Sequence, residues 1–221
     1  MIKTVTTLWF VLAFFACGNT TYEKDKANEH MHKSSFEELV KKFEDPKRDQ
    51  WQKPNLVLEK LGDVRGKKIA DIGAGTGYFS RRLAQKGASV LALDVDERFL
   101  NYIDSLSQDS LDIVTRKVNF DSPMLDSAEV DAILIVDTYH HIETRYEYFR
   151  DVWRGMKAGG QLIIVDFKKK DTPHGPPTEM RIEGFEVMKE LQKAGFVKVV
   201  IDVRSLDYQY IILAKKYEKA I

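Results

Sequence analysis

The residues best suited to holding a small polar ligand form a glycine-rich segment that reads Ala70-Asp71-Ile72-Gly73-Ala74-Gly75-Thr76-Gly77-Tyr78. Three glycines at alternate positions let the backbone turn sharply and approach a ligand that a Cβ atom would keep away. A carboxylate such as Asp71 can accept a hydrogen bond from an ammonium group. Asp94, seventeen residues beyond Gly77, can accept two hydrogen bonds from ribose hydroxyls. The spacing therefore indicates a site for a nucleoside-type ligand.

A second group capable of chemistry is the histidine pair His140-His141. An imidazole with its ordinary pKa of about 6.5 can take a proton from an oxygen or nitrogen nucleophile at neutral pH. Adjacent residues point in different directions, so at most one of the two is expected to be the base. The alternative is that either histidine caps the next helix or bonds to the ligand. The preceding Tyr139 is either an aromatic wall for a cationic ligand or an ordinary packing residue.

Alternating strands and helices must position these groups. Buried strands are predicted at 68–72, 89–93, 112–118, 132–136 and 161–165, and helices between them at 78–86, 97–107, 146–156 and 182–194. Two closing strands, 196–203 and 208–214, are separated by only four residues, which is too short a link for a parallel crossover. The pattern predicts a three-layer α/β sandwich whose seven-stranded sheet is mostly parallel and ends in an antiparallel hairpin.

Two further helices are predicted before the first strand. Ser34 and Glu37 have the spacing of a capping box for an amphipathic helix that runs to about Phe43. Pro54 is suited to the first turn of the second helix, and Gly62 to its end.

The glycine spacing separates two classes of ligand. A dinucleotide fingerprint would be GxGxxG, but Tyr78 occupies its third-glycine position, so an NAD-dependent oxidoreductase is the less favoured alternative. The GxGxG segment instead resembles motif I of class I S-adenosylmethionine-dependent methyltransferases. The resemblance covers about 48–214 and includes the segments 48–54, 136–142, 158–162 and 206–210, together with the closing hairpin. It implies a Rossmann-like fold, S-adenosyl-L-methionine as cofactor and methyl transfer to a small molecule.

The resemblance also implies which residues contact the cofactor. These are Asp71, Gly73, Ala74, Gly75, Gly77, Asp94, Asn119, Asp121 and Asp137. Asp71 would help to hold the amino-acid end and Asp94 the ribose. Asn119 stands where the family commonly has an acid that contacts adenine, so Asn119, or Asp121 two residues later, is the expected adenine contact. Asp137 ends the fourth strand, where open α/β sheets bind their ligands, and is expected beside the methionine part.

The acceptor pocket is expected under a stiff loop at 173–177, which reads Pro-His-Gly-Pro-Pro, with His174 and Arg181 as lining residues. A metal centre would have to use a mixed set of side chains, namely His140, His141, Asp166 and His174. No spacing among them matches a compact metal motif, and no metal is predicted.

Composition excludes several other functions. The 221 residues contain 34 Lys and Arg against 34 Asp and Glu, so the chain lacks the basic field that non-specific nucleic-acid binding uses. The single cysteine, Cys17, excludes an internal disulfide, Cys-based zinc sites and CxxC redox chemistry within the chain.

The N-terminal segment has the features of a targeting signal. Lys3 precedes an apolar run at 5–16, which is shorter than the roughly 20 residues that span a membrane. Residues 14–17 resemble a bacterial lipobox, although Phe14 stands where Leu is usual. The predicted organisation is a signal peptide and lipobox at 1–17, a polar tether at 18–33 and a methyltransferase domain at 34–221. An uncleaved membrane anchor is the alternative to lipidation of Cys17.

Lipidation and cofactor supply conflict, because a lipoprotein is displayed outside the cytoplasm whereas S-adenosylmethionine is made inside. The prediction for localisation is a membrane-anchored bacterial lipoprotein on the extracytoplasmic side, with a cytoplasmic protein as the alternative. The alternative function is a non-catalytic lipoprotein that binds a nucleoside or S-adenosylmethionine.

Overall fold

The computed structural model describes residues 34–107 and 110–217. The predicted signal peptide, lipobox and tether, including Cys17, lie outside the described residues. Within the described ranges, no helix is long and apolar enough to cross a membrane.

The secondary structure alternates as expected. The strands are β1 (Lys68–Ile72), β2 (Ser89–Asp94), β3 (Ile113–Lys117), β4 (Val130–Val136), β5 (Met156–Phe167), β6 (Val197–Asp202) and β7 (Gln209–Lys215). The helices are α1 (Phe36–Phe43), α2 (Arg48–Gln52), α3 (Pro54–Glu59), α4 (Tyr78–Gln85), α5 (Glu97–Ser107), α6 (Arg145–Gly155) and α7 (Gly184–Ala194). Short 3-10 helices cover Tyr139–His141 and Thr178–Met180.

The seven strands form one sheet in the order β3-β2-β1-β4-β5-β7-β6. β1 to β5 pair in parallel, whereas β7 is antiparallel to both β5 and β6. The predicted α/β fold, with its mostly parallel sheet and closing hairpin, is confirmed. Central strands such as β4 are apolar along most of their length because helices cover both faces of the sheet.

The N-terminal helices differ in detail from the prediction. The capping box lies one residue later than expected: the Ser35 hydroxyl accepts from the Glu38 N–H at 3.2 Å, and the Glu38 carboxylate accepts from the Ser35 N–H at 3.0 Å. This register turns Phe36 and Leu39 inward, where Phe36 packs 5.2 Å from Phe99 between ring centroids. Helix α2 was not predicted, and α3 ends at Glu59, before Gly62.

The strand order creates the place for a ligand. Chain order reverses between β1 and β4, which pair directly, so the connections that follow these two strands leave in opposite directions. A crevice forms at such a switch point outside the carboxyl ends of the strands. The glycine-rich segment follows β1 and the histidine pair follows β4, and the fold thus brings both to this crevice.

Candidate active site

A cavity of about 1000 Å³ lies over the carboxyl ends of β1 to β5. Nine of the residues predicted to form the site line it, namely Gly73, Ala74, Gly75, Asp94, Asn119, Asp137, His140, His141 and His174. Five others lie outside its lining, namely Asp71, Gly77, Asp121, Tyr139 and Arg181. The segments that precede β1 complete the cavity with residues such as Phe43, Arg48 and Trp51.

The glycine loop is held close to the sheet. The N–H groups of Gly73 and Ala74 donate to the Leu93 carbonyl at 2.8 and 3.0 Å, which ties the loop to β2. Gly73 has φ +72°, and a Cβ atom there would lie 2.2 Å from the Thr138 hydroxyl. A Cβ atom on Gly77 would lie 2.8 Å from Ile103. These two glycines are therefore required for the loop to pack, whether or not a ligand is bound.

Asp94 connects the loop to the second strand. Its carboxylate accepts from the Gly75 N–H at 2.8 Å and from the Asp96 N–H at 2.9 Å. Burial raises the pKa of Asp94, and the backbone hydrogen bonds oppose that shift only in part. A carboxylate has about four lone-pair positions, so its capacity is not exhausted by these bonds and a ligand hydroxyl can still donate to it. Asp94 is thus suited to holding both the loop and a ribose.

Asp71 faces away from the cavity. Its carboxylate accepts from the Ser80 hydroxyl at 2.6 Å, which fixes α4 against β1. Burial raises the pKa of Asp71 to about 6, against the lowering effect of the Ser80 hydrogen bond. This position favours support of the glycine loop over direct contact with a ligand.

The two candidates for the adenine contact are placed differently. Asn119 lines the cavity beside Val118 and Phe120, after β3 ends. Asp121 is exposed and outside the lining. The geometry therefore favours Asn119 as the adenine contact.

Asp137 lies at the carboxyl end of β4 with φ +55°, a left-handed conformation that is uncommon for a residue with a side chain. Its carboxylate accepts a short hydrogen bond from the Gln209 amide and lies 3.7 Å from the Arg48 guanidinium. Burial raises the pKa of Asp137 to about 6, although Arg48 opposes the shift. The strained backbone and the shifted pKa both mark Asp137 as a residue held in place for a function.

A ring of three hydrogen bonds and one ion pair connects Asp137 to helix α2. Arg48 donates to the Gln52 amide oxygen at 2.9 Å, and Gln52 donates to Gln209 at 2.9 Å. We call Arg48, Gln52, Gln209 and Asp137 the polar ring. Sequence reasoning did not find Gln52 or Gln209 individually, but both lie in segments that resemble the methyltransferase family.

The histidine pair is organised by a carboxylate. His140 Nδ1 lies 2.9 and 3.0 Å from the two carboxylate oxygens of Asp166, and the His140 N–H donates to the same group at 3.1 Å. Burial lowers the pKa of His140, but the charge and hydrogen bond of Asp166 outweigh it and the net shift is upward. His141 also lines the cavity, and its ring centroid lies 4.2 Å from that of His140.

This pairing can support proton transfer. An Asp166 carboxylate that accepts from Nδ1–H leaves Nε2 of neutral His140 as a proton acceptor, because the two ring nitrogens exchange donor and acceptor roles. The sequence offered Asp166 only as a member of a metal cluster. Among the described residues, no group of three or more His, Cys, Asp or Glu is arranged to hold a metal ion.

Two residues predicted to contact the substrate lie outside the cavity lining and make structural contacts. Tyr139 is buried, packs 5.1 Å from Phe149 between ring centroids and donates a short hydrogen bond to Glu190. The Arg181 guanidinium is also buried and donates to backbone carbonyls of the loop at 168–177. Tyr139 therefore has the packing role given as its alternative, and Arg181 shapes the loop from below.

Comparisons with known proteins agree with this geometry. Residues 70–164 match the family model of a methyltransferase domain. The chain is 33% identical over 107 residues to a demethylmenaquinone methyltransferase of Tropheryma whipplei, which is 48% of this chain and 44% of the relative. It is 28% identical over 116 residues to a ubiquinone biosynthesis O-methyltransferase of Pseudomonas aeruginosa, which is 50% of this chain and 48% of the relative. The chain thus spans about half the length of these curated relatives.

A solved structure extends the similarity over more of the chain. A SAM-dependent methyltransferase from Aquifex aeolicus is 26% identical, with a TM-score of 0.75, over 83% of this chain and 99% of that one. The domain match, the relatives and this structure support a methyltransferase. They also support S-adenosyl-L-methionine as its cofactor.

The residues of the site fit this cofactor. The cavity volume of about 1000 Å³ lies at the upper end of the range of about 300 to 1,000 Å³ that is usual for small-molecule sites. Gly75 has φ +52° and presents backbone without a Cβ atom below the Phe43 ring. Asp94 retains free lone pairs, and Asn119 lies beyond it along the same edge of the sheet.

Proposed function

We propose that the protein transfers a methyl group from S-adenosylmethionine to a small-molecule acceptor by in-line displacement. The main observation behind this proposal is that two groups meet at one cavity. The glycine loop with Asp94 lines it, and so does His140, which is paired with Asp166 at the end of the neighbouring strand. Two relatives named for steps that modify quinones or their precursors support a small-molecule acceptor.

The chain has to align the reactants more than it has to activate them. The cofactor supplies a methyl group on a positively charged sulfur, so its chemistry is already favourable. Asp94 is suited to holding the ribose, Asn119 the adenine and Asp137 the amino-acid part. The rigid loop and the polar ring keep these groups in fixed positions, and alignment of this kind is a large part of catalysis.

His140 is the proposed general base. Its Nδ1 is held by Asp166, which orients the ring and leaves Nε2 to accept the acceptor proton. His141 is the second candidate, because it lines the same cavity. Replacement of each by Ala, with turnover and cofactor affinity measured separately, distinguishes them.

Calorimetric titration tests the binding half of the proposal. S-adenosylhomocysteine is expected to bind the purified protein with one site per chain, and NAD is expected not to bind. Binding of NAD alone would favour the oxidoreductase alternative, and absence of binding by S-adenosylhomocysteine would contradict the proposal.

Turnover separates the enzyme from a non-catalytic binding protein with the same fold. An enzyme converts S-adenosylmethionine to S-adenosylhomocysteine when an acceptor is present, whereas a binding protein only holds it. Intact Asp94 and the His140–Asp166 pair support retained activity.

We also propose that Cys17 is lipidated and attaches the protein to a membrane. The lipobox-like run before Cys17 and the apolar segment at 5–16 support this attachment. Labelling of cells with a radioactive fatty acid is expected to mark the wild type and not Cys17→Ser. A labelled Cys17→Ser variant would contradict lipidation at this residue.

A further inference from the structure

The two ends of the cavity differ in charge. The end over β2 and β3 includes five charged lining residues, Asp94, Asp96, Glu97, Arg98 and Lys117. At the other end, over β4 and β5, the described lining residues from 138–142 and 167–180 include no Asp, Glu, Lys or Arg, and the charged Asp137 and Arg48 beside them face each other as an ion pair. The charged end matches the polar nucleoside of the cofactor, which leaves the uncharged end for the acceptor.

Aromatic rings cover the uncharged end. The Trp51 and His174 rings are stacked, with centroids 4.7 Å apart and planes 13° apart. Phe167 lies 5.9 Å from Trp51 between centroids. We call Trp51, Phe167 and His174 the aromatic wall, and all three line the cavity. Flat surfaces of this kind bind flat apolar groups well, and aromatic contacts of good geometry contribute about 0.5–1.5 kcal/mol beyond the burial of area.

Arg181 holds the wall in place without offering a charge to the cavity. It donates to the carbonyls of Pro176 and His174 at 2.8 and 3.2 Å, and to the Thr172 hydroxyl at 2.8 Å. Its guanidinium carbon also lies 5.2 Å from the Phe167 ring centroid. Because these contacts occupy its donors below the wall, Arg181 is not available to pair with an anionic acceptor.

Charged groups on and next to the elements that carry the wall are also engaged. Arg48 and Asp137 face each other at 3.7 Å, and Asp166 is paired with His140 at 2.9 Å. Among the described residues that line this end, a charged acceptor would find no unpaired Asp, Glu, Lys or Arg. The loss of its hydration, which is costly in a buried site, would therefore not be offset by an ion pair with such a residue. An uncharged acceptor avoids this cost.

We propose that the acceptor is an uncharged planar aromatic molecule with an ionisable hydroxyl group, held by the aromatic wall with its hydroxyl toward His140. This proposal rests on the proposed methyl transfer and specifies its substrate class. The acceptor oxygen forms the new bond to the methyl carbon while the carbon–sulfur bond breaks and its electron pair returns to sulfur. The hydroxyl proton passes to His140 Nε2. The products are a methyl ether and S-adenosylhomocysteine, so atoms and charges balance.

The test compares three probes on protein saturated with S-adenosylhomocysteine. They are 2-naphthol, its saturated analogue decahydro-2-naphthol, and the anionic 6-hydroxy-2-naphthoate at pH 8. Calorimetric titration is expected to show that 2-naphthol binds at least about tenfold more tightly than either of the others. With S-adenosylmethionine in place of the product, mass spectrometry is expected to detect 2-methoxynaphthalene.

A pair of tryptophan variants locates the binding. Trp51→Ala is expected to weaken 2-naphthol binding about tenfold or more, and Trp51→Phe is expected to restore most of it. Trp153→Phe is the matched control, because Trp153 lies on α6 outside the cavity lining and packs under Lys216. Unchanged affinity for S-adenosylhomocysteine in every variant shows that the fold is intact.

Three results would overturn the proposal: equal or tighter binding of the naphthoate or the saturated alcohol, no effect of Trp51→Ala, or no binding of 2-naphthol at all. Each of these leaves the affinity for S-adenosylhomocysteine intact. A protein without the proposed cofactor site would instead fail to bind S-adenosylhomocysteine, and a non-catalytic binding protein would bind 2-naphthol without forming 2-methoxynaphthalene. Failure of the proposed function is therefore distinguishable from failure of this proposal.

Discussion

At the scale of single residues, Asp94 holds the glycine loop and is the proposed contact for the ribose of the cofactor. Asp94→Ala is expected to weaken binding of S-adenosylhomocysteine by about 1–3 kcal/mol, because it removes hydrogen bonds to a charged acceptor inside a buried site. Part of this loss arises because the Gly75 N–H, which donates to Asp94 at 2.8 Å, would lose its acceptor. Calorimetric titration measures the change. Asp121→Ala is the control, since Asp121 is exposed outside the lining, and an equal loss there would contradict the assigned geometry.

If His140 is the base, as proposed, the pH dependence of turnover is expected to follow its protonation. The base must be neutral, and Asp166 outweighs burial to raise the pKa of His140 above its ordinary value. Turnover is therefore expected to increase with pH through a midpoint above about 6.5. Asp166→Asn removes the charge that stabilises the imidazolium, so its midpoint is expected at lower pH, together with a lower maximal rate.

His140→Ala tests the assignment of that midpoint. It is expected to remove the acid limb of the profile and to lower the maximal rate while the cofactor affinity stays unchanged. If the acid limb persists at the same pH in His140→Ala, the midpoint belongs to another group, and His141 is then the first candidate.

At the scale of elements, the polar ring fastens α2 across the cavity. Gln52 is buried and exchanges hydrogen bonds with Arg48 and Gln209, so Gln52→Leu leaves both partners with unmet hydrogen bonds. The expected cost is about 1–3 kcal/mol, seen as faster amide hydrogen exchange in α2 and weaker cofactor binding.

Gln50→Leu provides the matched control on the same helix, because Gln50 is exposed. It is expected to leave both measurements unchanged. Equal exchange rates in α2 of Gln52→Leu and the wild type would show that the ring does not fasten the helix.

The elements themselves were largely predictable, for a physical reason. Strands β1 and β2 lie in the middle of a parallel sheet, and continuous apolar runs bounded by turns define them within one residue. Strand β5 extends further than predicted, to Met156–Phe167, because it pairs with both β4 and β7. Helix α2 was missed because its five residues are mostly polar and are held by the polar ring, which depends on tertiary contacts.

The site was predictable only where its residues are close in sequence. The glycine loop and Asp94 share a strand–helix–strand unit, so their spacing reveals them. The contact of His140 with Asp166 spans 26 positions, and that of Gln52 with Gln209 spans 157. Such pairs are determined by the strand order, which brings β4, β5 and β7 together.

At the scale of the whole molecule, buried carboxyl groups link stability to pH. The pKa of Asp137 is raised from 3.8 to about 6, mainly by burial. The folded state therefore binds more protons than the unfolded state between these values, and this group lowers the free energy of unfolding as pH rises from about 4 to about 6.

Asp137→Asn removes that dependence. Urea titrations at several pH values are expected to show that the variant loses less stability than the wild type between pH 4 and 6. Above pH 6 the difference between the two is expected to be constant. Parallel pH profiles for the two proteins below pH 6 would contradict the raised pKa.

Transfer of a labelled methyl group tests the central claim most directly. Purified protein is incubated with methyl-tritiated S-adenosylmethionine and fractionated metabolite extracts, in parallel with His140→Ala at matched cofactor occupancy. The wild type is expected to produce a labelled small molecule together with S-adenosylhomocysteine, and His140→Ala to produce at least about tenfold less. No labelled product with the wild type, or equal product with His140→Ala, would contradict an enzyme that uses His140 as its base.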